Sequence, residues 1–368
     1  MRRPSTSASV LAAVAATVVV IAATQLAKSH LGASASTSAP VTGQPTIKRV
    51  HFAADGTLVA VGPTATYVSS DQGSHFASNP LPASVATVAD AEFSADGHGL
   101  AVAATTSGAL ATYLTADNGK SWRQMPITPT EAVSEATVAL SPDGSGWVAA
   151  RNVSSSNFSF GELFSIPNTG PAAHQTLPGF GRVRFFSSTL GFVAGGADGD
   201  HLWRTTDGGG SWVPSPLVVP ADAAATTQAV GDPTMLRPEQ GYIPVTTLDE
   251  GGRITFAVEK TNDGGASWSA SGSPVALSGG IGPGVPVASD VSGSAWTAIA
   301  PDGSSLVRSV DGGTTWTKVP VRGLSGGVVD TRFSAANTQV GVATTMDGTT
   351  TVLWRTVDGG QHWSTAAF

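Results

Sequence analysis

After residue 46 the chain alternates short apolar runs with turns rich in glycine and aspartate. Runs such as residues 100–103 (LAVA) and 147–150 (WVAA) begin with a large residue and continue with Val and Ala. An apolar segment ending in Phe or Leu precedes each run, often across an Asp-Gly turn. No helical periodicity interrupts this order, so the pattern predicts an all-β protein of short strands and tight turns.

One motif, Ser/Thr-x-Asp-x-Gly-x-x-aromatic, returns along the chain and sets the length of a repeat. It occurs six times, and its final aromatic residues are separated by 46, 90, 56, 48 and 47 positions. One interval is therefore a double period, and a period near 46 predicts a repeat architecture. We call each copy a box. The box aspartates are Asp71, Asp117, Asp207, Asp263, Asp311 and Asp358.

The double interval contains a further repeat that has lost its box. Residues 140–150 (LSPDGSGWVAA) match residues 93–103 (FSADGHGLAVA) almost position for position. We therefore assign residues 137–178 to a seventh unit, and seven units of about 46 residues fill residues 47–368. Each unit has the order of four strands, with the box between the third and the fourth. Seven four-stranded antiparallel units predict a seven-bladed β-propeller, because a linear stack would leave open edges.

The box has the residue types of a tight hairpin turn. Asp207 can accept backbone N–H groups, and Gly209 can adopt a left-handed conformation. The hydroxyl groups of Thr205 and Ser211 can bond the remaining turn groups, and Trp212 can pack between sheets. A calcium loop would need further oxygen ligands ending in an acid. We interpret the boxes as structural, and we expect no metal and no cofactor.

This pattern resembles the Asp-box, or bacterial neuraminidase repeat, over nearly the whole chain after residue 46. The resemblance is greatest to the photosystem II stability/assembly-factor-like propellers, which share the "RT-DGG-W" unit and an N-terminal export segment. It implies a sialidase-like fold with the boxes on the rim, away from the ligand face. It also implies binding of a partner rather than catalysis.

The sialidase catalytic set is missing. The chain has no Arg-Ile-Pro segment, and each of its three tyrosines occupies a repeat position where another unit has a large residue. A glycoside hydrolase with a different carboxylate pair remains the alternative, because two acids at a suitable separation are enough. Nothing in the sequence selects a pair, and we therefore predict no catalytic residue. The acids outside repeat positions include Glu131, Glu135, Glu162, Asp198, Asp200, Asp249 and Glu250.

Candidate binding residues lie in the loops between second and third strands. These loops vary most in length and face away from the boxes, and variable loops on a fixed scaffold carry recognition. A protein or a glycan could be the partner, and solvated loops without a ligand are the simpler interpretation. The candidates are Arg151, Phe158, Phe160, Asp200, His201, Asp249 and Arg253.

Charged residues also recur at the first strand, one and three positions before its final Phe or Leu. A period of two places them on one face of the strand, and first strands line the channel of a propeller. Opposite charges fall in units one and two and in units four and five. We favour ion pairs between blades over an anion site or a docking mouth. The channel residues are Arg49, Asp90, Glu92, Arg182, Arg184, Asp232, Asp330 and Arg332.

Composition and charge exclude several classes of site and of partner. The chain has no Cys, which excludes disulfides and thiolate metal sites. It carries 19 Lys and Arg against 26 Asp and Glu, so we exclude nucleic acid as a partner. Arg2 and Arg3 precede the apolar residues 10–23, which predicts that residues 1–28 are a cleaved signal peptide or a membrane anchor.

Residues 29–46 then form a Ser/Ala/Pro-rich linker to the propeller, residues 47–368. We predict an extracytoplasmic, non-catalytic binding or scaffold protein. It is secreted or tethered to the membrane through the N-terminal segment only, and we expect a monomer.

Overall fold

The computed structural model divides the chain into two units, Met1–Thr42 and Gly43–Phe368. The predicted export segment and most of the linker lie outside the described residues. No helix in the described part of the chain is long and apolar enough to cross a membrane. The structure describes residues 44–53, 55–153, 161–167, 172–179, 181–195, 201–218, 225–249, 254–277, 287–289, 296–300, 303–334, 337, 339–347 and 350–368.

Seven antiparallel sheets follow one another along the chain, and the predicted all-β, seven-bladed propeller is confirmed. Blade 1 consists of β1 (Arg49–Phe52), β2 (Leu58–Val61), β3 (Ala65–Ser69) and β4 (Ala77–Pro80). Blade 2 consists of β5 (Val85–Phe93), β6 (Gly99–Thr105), β7 (Leu110–Thr115) and β8 (Arg123–Met125). Blade 3, the unit without a box, consists of β9 (Val133–Leu140), β10 (Gly146–Asn152), β11 (Glu162–Ile166) and β12 (Ala173–Thr176).

The remaining blades have the same strand order. Blade 4 consists of β13 (Gly181–Phe185), β14 (Gly191–Gly195), β15 (His201–Thr205) and β16 (Val213–Pro214). Blade 5 consists of β17 (Ala225–Val230), β18 (Thr234–Met235), β19 (Gly241–Asp249), β20 (Ile254–Thr261), β21 (Ser269–Ala270) and β22 (Val275–Leu277). Blade 6 consists of β23 (Val287–Ser289), β24 (Trp296–Ile299), β25 (Ser305–Ser309) and β26 (Thr317–Pro320). Blade 7 consists of β27 (Gly327–Phe333), β28 (Gly341–Asp347), β29 (Thr350–Thr356) and β30 (Ser364–Thr365).

The second strand of a blade is the most deeply buried, and the fourth is the most exposed. All four residues of β2 are buried, whereas none of the residues of β4 is. A second strand is covered on both faces by neighbouring blades, which explains its Val and Ala content. The core consists of apolar clusters between successive blades, for example Leu100 and Val102 of blade 2 against Val148 and Phe164 of blade 3.

Blade 5 departs from the predicted four strands. Its first strand is split into β17 and β18, which both pair with β19, and a short β22 pairs with the far end of β20. The split falls at residues 231–233, where Pro233 has no N–H group to give to a ladder.

Blades 7 and 1 meet directly, and each sheet uses only its own consecutive strands within the described residues. The segment before β1 adds side-chain bonds instead of a strand. Gln44 Nε2 donates to Ala366 O at 2.6 Å, and Gln44 Oε1 accepts from Leu353 N at 2.9 Å. Ile47, Leu58 and Leu353 share one apolar cluster across this junction. The ring therefore closes through packing and a glutamine bridge.

We expect Gln44→Ala to lower the free energy of unfolding by about 1–3 kcal/mol, because two partly buried backbone groups lose their partner. Denaturant unfolding measures the change. Gln124→Ala, on the exposed face of β8, is the matched control and should stay within about 0.5 kcal/mol of wild type. Equal unfolding of the Gln44 variant and wild type would show that packing alone closes the ring.

Candidate functional site

Each box is a closed hydrogen-bonded turn. Asp207 Oδ1 accepts from Ser211 N at 2.9 Å and from Thr205 Oγ1 at 2.7 Å, and Asp207 Oδ2 accepts from Ser211 Oγ at 2.7 Å. Thr205 Oγ1 in turn accepts from Gly209 N at 2.9 Å. Hydrogen bonds from Ser211 and Thr205 lower the pKa of Asp207 to about 2, so the carboxylate is ionised at neutral pH. The turn uses both carboxylate oxygens in holding its own shape.

The same geometry recurs in the boxes of blades 2, 5, 6 and 7, and blade 1 has the same serine–aspartate core. Gly208 and Gly209 both have positive φ, at 74° and 100°. Two boxes place a non-glycine residue at the first of these positions, Gln72 with φ 61° and Asn118 with φ 58°. The second position is glycine in every box, and Gly209 lies against Leu163 of the preceding blade.

Box carbonyls also accept hydrogen bonds from the preceding blade. Thr66 Oγ1 donates to Gly119 O at 2.6 Å, from blade 1 to blade 2. Ser215 Oγ of blade 4 donates to Gly265 O at 2.6 Å. Arg204 Nε of blade 4 donates to Gly264 O at 2.6 Å, and Arg355 of blade 7 does the same to Gln72 O of blade 1. The box thus joins neighbouring blades.

The boxes and the turns between first and second strands lie at one end of the blades. Asn118 N of a box donates to Gly97 O of such a turn at 2.9 Å, and Gly208 N donates to Thr189 O at 2.9 Å. The hairpins between second and third strands therefore lie at the opposite end, because successive strands are antiparallel. We call this end the loop face.

The described candidate loop residues come from three successive blades at the loop face. Arg151 lies near the end of β10, His201 begins β15 and Asp249 ends β19. The His201 ring is exposed and stacks on Trp203 with a centroid distance of 5.4 Å. The other candidates, Phe158, Phe160, Asp200 and Arg253, belong to the same hairpins but lie outside the described residues.

A buried carboxylate supports the loop face of blade 3. Glu162 Oε1 accepts from Thr130 Oγ1 at 2.6 Å and from Asn152 Nδ2 at 2.7 Å, and His174 Nε2 lies 3.2 Å from Glu162 Oε2. Burial opposes ionisation, but the bonds from Thr130 and Asn152 outweigh it and lower the pKa of Glu162. Glu162 therefore holds three chain segments at the base of the loop that contains Phe158.

The charged residues of the first strands meet in the channel as ion pairs. Arg49 Nε lies 2.5 Å from Asp90 Oδ1, which joins blades 1 and 2. Asp232 accepts from Arg182 at 3.1 Å and from Arg184 at 2.9 Å, which joins blades 4 and 5. The two arginines outweigh burial and hold the pKa of Asp232 well below its usual range.

Three contacts in the channel were not foreseen. Arg184 also pairs with Glu92, so it links blades 2 and 4. Asp90 Oδ2 accepts from Val138 N at 3.0 Å, and Glu92 Oε2 accepts from Leu140 N at 3.2 Å. First strands are sheet edges with unpaired N–H groups. The acids of blade 2 therefore satisfy the inner edge of blade 3.

Three of the channel acids lie at irregular points of the first strands. Asp90 and Asp330 lie at β-bulges, where the register shifts by one residue. Asp232 lies in the break between β17 and β18. Each bulge aspartate accepts from the next backbone N–H at 2.9 Å, Ala91 or Thr331. A bulge re-aims a side chain, and these acids still point into the channel.

A small cavity of about 70 Å³ remains among Arg49, Asp90, Arg182, Arg184 and Arg332. The four arginines and four acids named for the channel cancel in formal charge. Arg332 Nε lies 3.4 Å from Asp330 Oδ1, a looser pair than the others. The channel therefore has little net charge to attract an ion.

His51 adds a neutral side chain to this channel. Burial and the nearby Arg332 lower the pKa of His51 to about 4. Its Nε2 atom has no hydrogen-bond partner among the described residues. His51 lies one residue before the final Phe of the first strand, a position at which other blades have charged residues. Its charge state depends on burial and on Arg332 of blade 7.

Glu259 in blade 5 is a residue that the sequence interpretation missed. It is 1% exposed, and its Oε2 atom accepts from Val218 N at 3.0 Å. Two residues before the hydroxyl residue of the box, blades 2, 4 and 7 have Tyr113, Trp203 and Trp354. The repeat alignment thus marks Glu259 as an acid at an aromatic position. Burial raises the pKa of Glu259 to about 7.

Within the described ranges no group of three or more His, Asp or Glu side chains is placed to hold a metal ion. The acids of the boxes and of the channel bond turns, arginines and backbone N–H groups. The residues that the structure brings together are those of the channel and those of the boxes.

No family model matches the chain, and no curated protein matches it. Solved structures do match it. YCF48 bound to a D1 peptide is 18% identical with a TM-score of 0.55, over 86% of this chain and 94% of that one. Hydrazine synthase from Kuenenia stuttgartiensis is 11% identical with a TM-score of 0.55, over 89% and 100% of the two chains. U3-55K is 12% identical with a TM-score of 0.54, over 82% and 88%. A peptide-bound protein and a synthase share this fold, so the likeness shows the propeller and no particular activity.

We expect Arg184→Met to lower the free energy of unfolding by about 3–5 kcal/mol, because Glu92 and Asp232 then remain buried with less compensating charge. Denaturant unfolding measures the loss. Arg123→Met, on exposed strand β8, is the control for loss of an arginine and should cost less than about 1 kcal/mol. A loss of the same size in both variants would contradict a special role for Arg184.

We expect stability to fall as the pH rises from about 4.5 to about 7, as far as Glu259 contributes. The folded state holds the Glu259 proton more tightly than the unfolded state, so unfolding releases it in this window. Glu259→Gln should flatten the decline by up to roughly 3 kcal/mol. Unfolding free energies at several pH values measure it. Glu239→Gln, exposed in the same blade, should leave the decline unchanged.

Proposed function

We propose that the chain is a non-catalytic binding or scaffold propeller, assembly-factor-like, which recognises a polypeptide partner on its loop face. The observation that carries this proposal is the convergence of Arg151, His201 and Asp249 on one end of blades 3, 4 and 5. Three neighbouring hairpins that differ in sequence on a regular scaffold form a surface suited to recognition.

The other charged features of the structure already have structural partners. The described box aspartates bond their own turns, and the channel arginines pair with channel acids. At the loop face, Val153 is 64% exposed and His201 presents an exposed ring that stacks on Trp203. An exposed apolar residue beside aromatic and charged side chains is the composition of a protein interface.

The likeness to YCF48 bound to a D1 peptide supports a polypeptide as the partner. The box motif supports membership of the Asp-box propellers, and the apolar residues 10–23 support presentation outside the cytoplasm. A monomer with one loop face would bind one segment at a time. A glycan is the second class of ligand that such a face could take.

Selection of peptides from a random library on the immobilised full chain tests the proposal. The dissociation constant of a selected peptide should rise at least about fivefold in His201→Ala and in Arg151→Ala, as for residues that contribute about 1 kcal/mol or more. His75→Ala, an exposed histidine in a box, is the matched control and should bind like wild type.

Equal weakening by His75→Ala and His201→Ala would contradict recognition at the loop face. A glycan-array signal together with sugar release from that glycan would instead favour a glycoside hydrolase. Sugar binding without release would keep the loop face but change the class of partner.

A further inference from the structure

The junction between blades 3 and 4 has a small residue at a place where three other junctions have an arginine. Three residues before the box aspartate, blades 4, 6 and 7 have Arg204, Arg308 and Arg355. Ser165 of blade 3 holds the same place in the sheet, opposite Trp147, as Arg204 does opposite Phe192. Blades 1, 2 and 5 have Val68, Leu114 and Lys260 at this place, so Ser165 is the smallest of the seven residues. It belongs to the blade without a box, whose third strand ends in Ile166 instead of Thr or Ser.

The arginines of blades 4, 6 and 7 contact the box of the next blade in the same way. Arg204 Nε donates to Gly264 O and Arg355 Nε donates to Gln72 O, both at 2.6 Å. A Cβ atom built on Gly359 would lie 3.0 Å from Arg308 Nη1, so this arginine lies over the box of blade 7 in the same way. Each guanidinium group thus covers the first residue after the box aspartate of the next blade.

A cleft of about 330 Å³ lies at the junction where Ser165 holds this place. Its lining includes Ser165 and Trp147 of blade 3 and Ser188, Asp207 and Gly208 of blade 4. Gly208 corresponds to Gly264, and its carbonyl accepts from Trp147 Nε1 at 3.2 Å. The side-chain amide of Gln175 donates to the same carbonyl at 3.3 Å, which uses its second lone pair. Asp207 Oδ2, which accepts one bond from Ser211 Oγ, can accept a further donor from the cleft.

The polar groups of the cleft favour a cation with several donors. Asp207 is ionised, and so is Asp143, which precedes the lining residue Gly144 and accepts from Ser188 N at 2.8 Å. Guanidinium is planar, always charged and carries five N–H donors, which matches carbonyl and carboxylate acceptors better than an ammonium group does. Trp147, stacked on Phe185 with a centroid distance of 3.6 Å, offers an apolar wall to methylene groups.

We propose that this cleft between blades 3 and 4 binds an arginine side chain of a partner polypeptide, in the position that the chain's own arginines fill at other junctions. The site lies at the box end of the blades, so it is separate from the loop face. A partner with an exposed arginine could therefore dock here whether or not the loop face is occupied.

Titration of the ¹⁵N-labelled full chain with N-acetyl-L-arginine amide tests the site. The indole N–H signal of Trp147, assigned by its loss in Trp147→Phe, should shift saturably, with a dissociation constant of about 1–10 mM for so small a probe. N-acetyl-L-citrulline amide has the same shape without the charge and should cause no saturable shift. An equal response to both probes, or to neither, would overturn the proposal.

Ser165→Arg provides the second arm, because it supplies the missing arginine from within the chain. It should weaken binding of the arginine probe at least about tenfold. Ser364→Arg adds the same charge on exposed strand β30 and should bind like wild type. If Ser165→Arg does not fold, Ser165→Leu fills the same space and should show the same loss. Undiminished binding by a folded Ser165 variant would place the probe elsewhere and overturn the proposal.

Discussion

Hydrogen bonds donated by one blade to the box carbonyls of the next are the interaction on which the rest of the ring depends. The box aspartate uses its carboxylate to fix the turn, and this leaves the glycine carbonyls pointing toward the preceding blade. The side chains that donate to these carbonyls lie in the third strand or directly after the fourth strand. The bonds therefore align neighbouring blades at their outer strands. The apolar clusters between second strands then fill the space inside. An acidic, glycine-rich motif of the kind that can bind an ion thus connects neighbouring blades.

The inner edges of the first strands present unpaired backbone N–H groups to the channel. Asp90 and Glu92 accept N–H groups of blade 3 and also bind Arg49 and Arg184. Asp232 pairs with Arg182 and Arg184, and these arginines hold its pKa below the usual range despite burial. Glu259, with a single backbone donor and no described cation beside it, has its pKa raised to about 7. The contrast shows that local partners, more than burial alone, decide the state of a carboxyl group in this protein.

The sequence was sufficient for the blade count, because six boxes recur along the chain and the one double interval contains residues 140–150, which match residues 93–103 of blade 2. Recurrence at one place in the unit also singled out the charges of the first strands, and several of these side chains lie within ion-pair distance of one another. The sequence could not foresee that Asp90 and Asp330 sit on bulges or that Arg184 reaches Glu92 two blades away, because both depend on register and on distances across the channel. The sequence predicts the positions of the loop residues less closely. Arg151, His201 and Asp249 follow from hairpin topology alone, and their neighbours in sequence carry no repeat pattern to fix their positions.

Side chains that follow the repeat already make structural contacts. Function can therefore arise at positions where a blade departs from the repeat. Glu259 replaces an aromatic residue, blade 5 has a broken first strand, and blade 3 has lost its box and has Ser165 where three blades have an arginine. Loss of a box removes several hydrogen bonds and one aromatic residue from the outer side of a blade. Blade 3 offsets part of this loss with Trp147, whose indole donates to the Gly208 carbonyl that an arginine covers elsewhere. The substitute satisfies the carbonyl but does not fill the volume of the guanidinium group, and the cleft is the physical consequence.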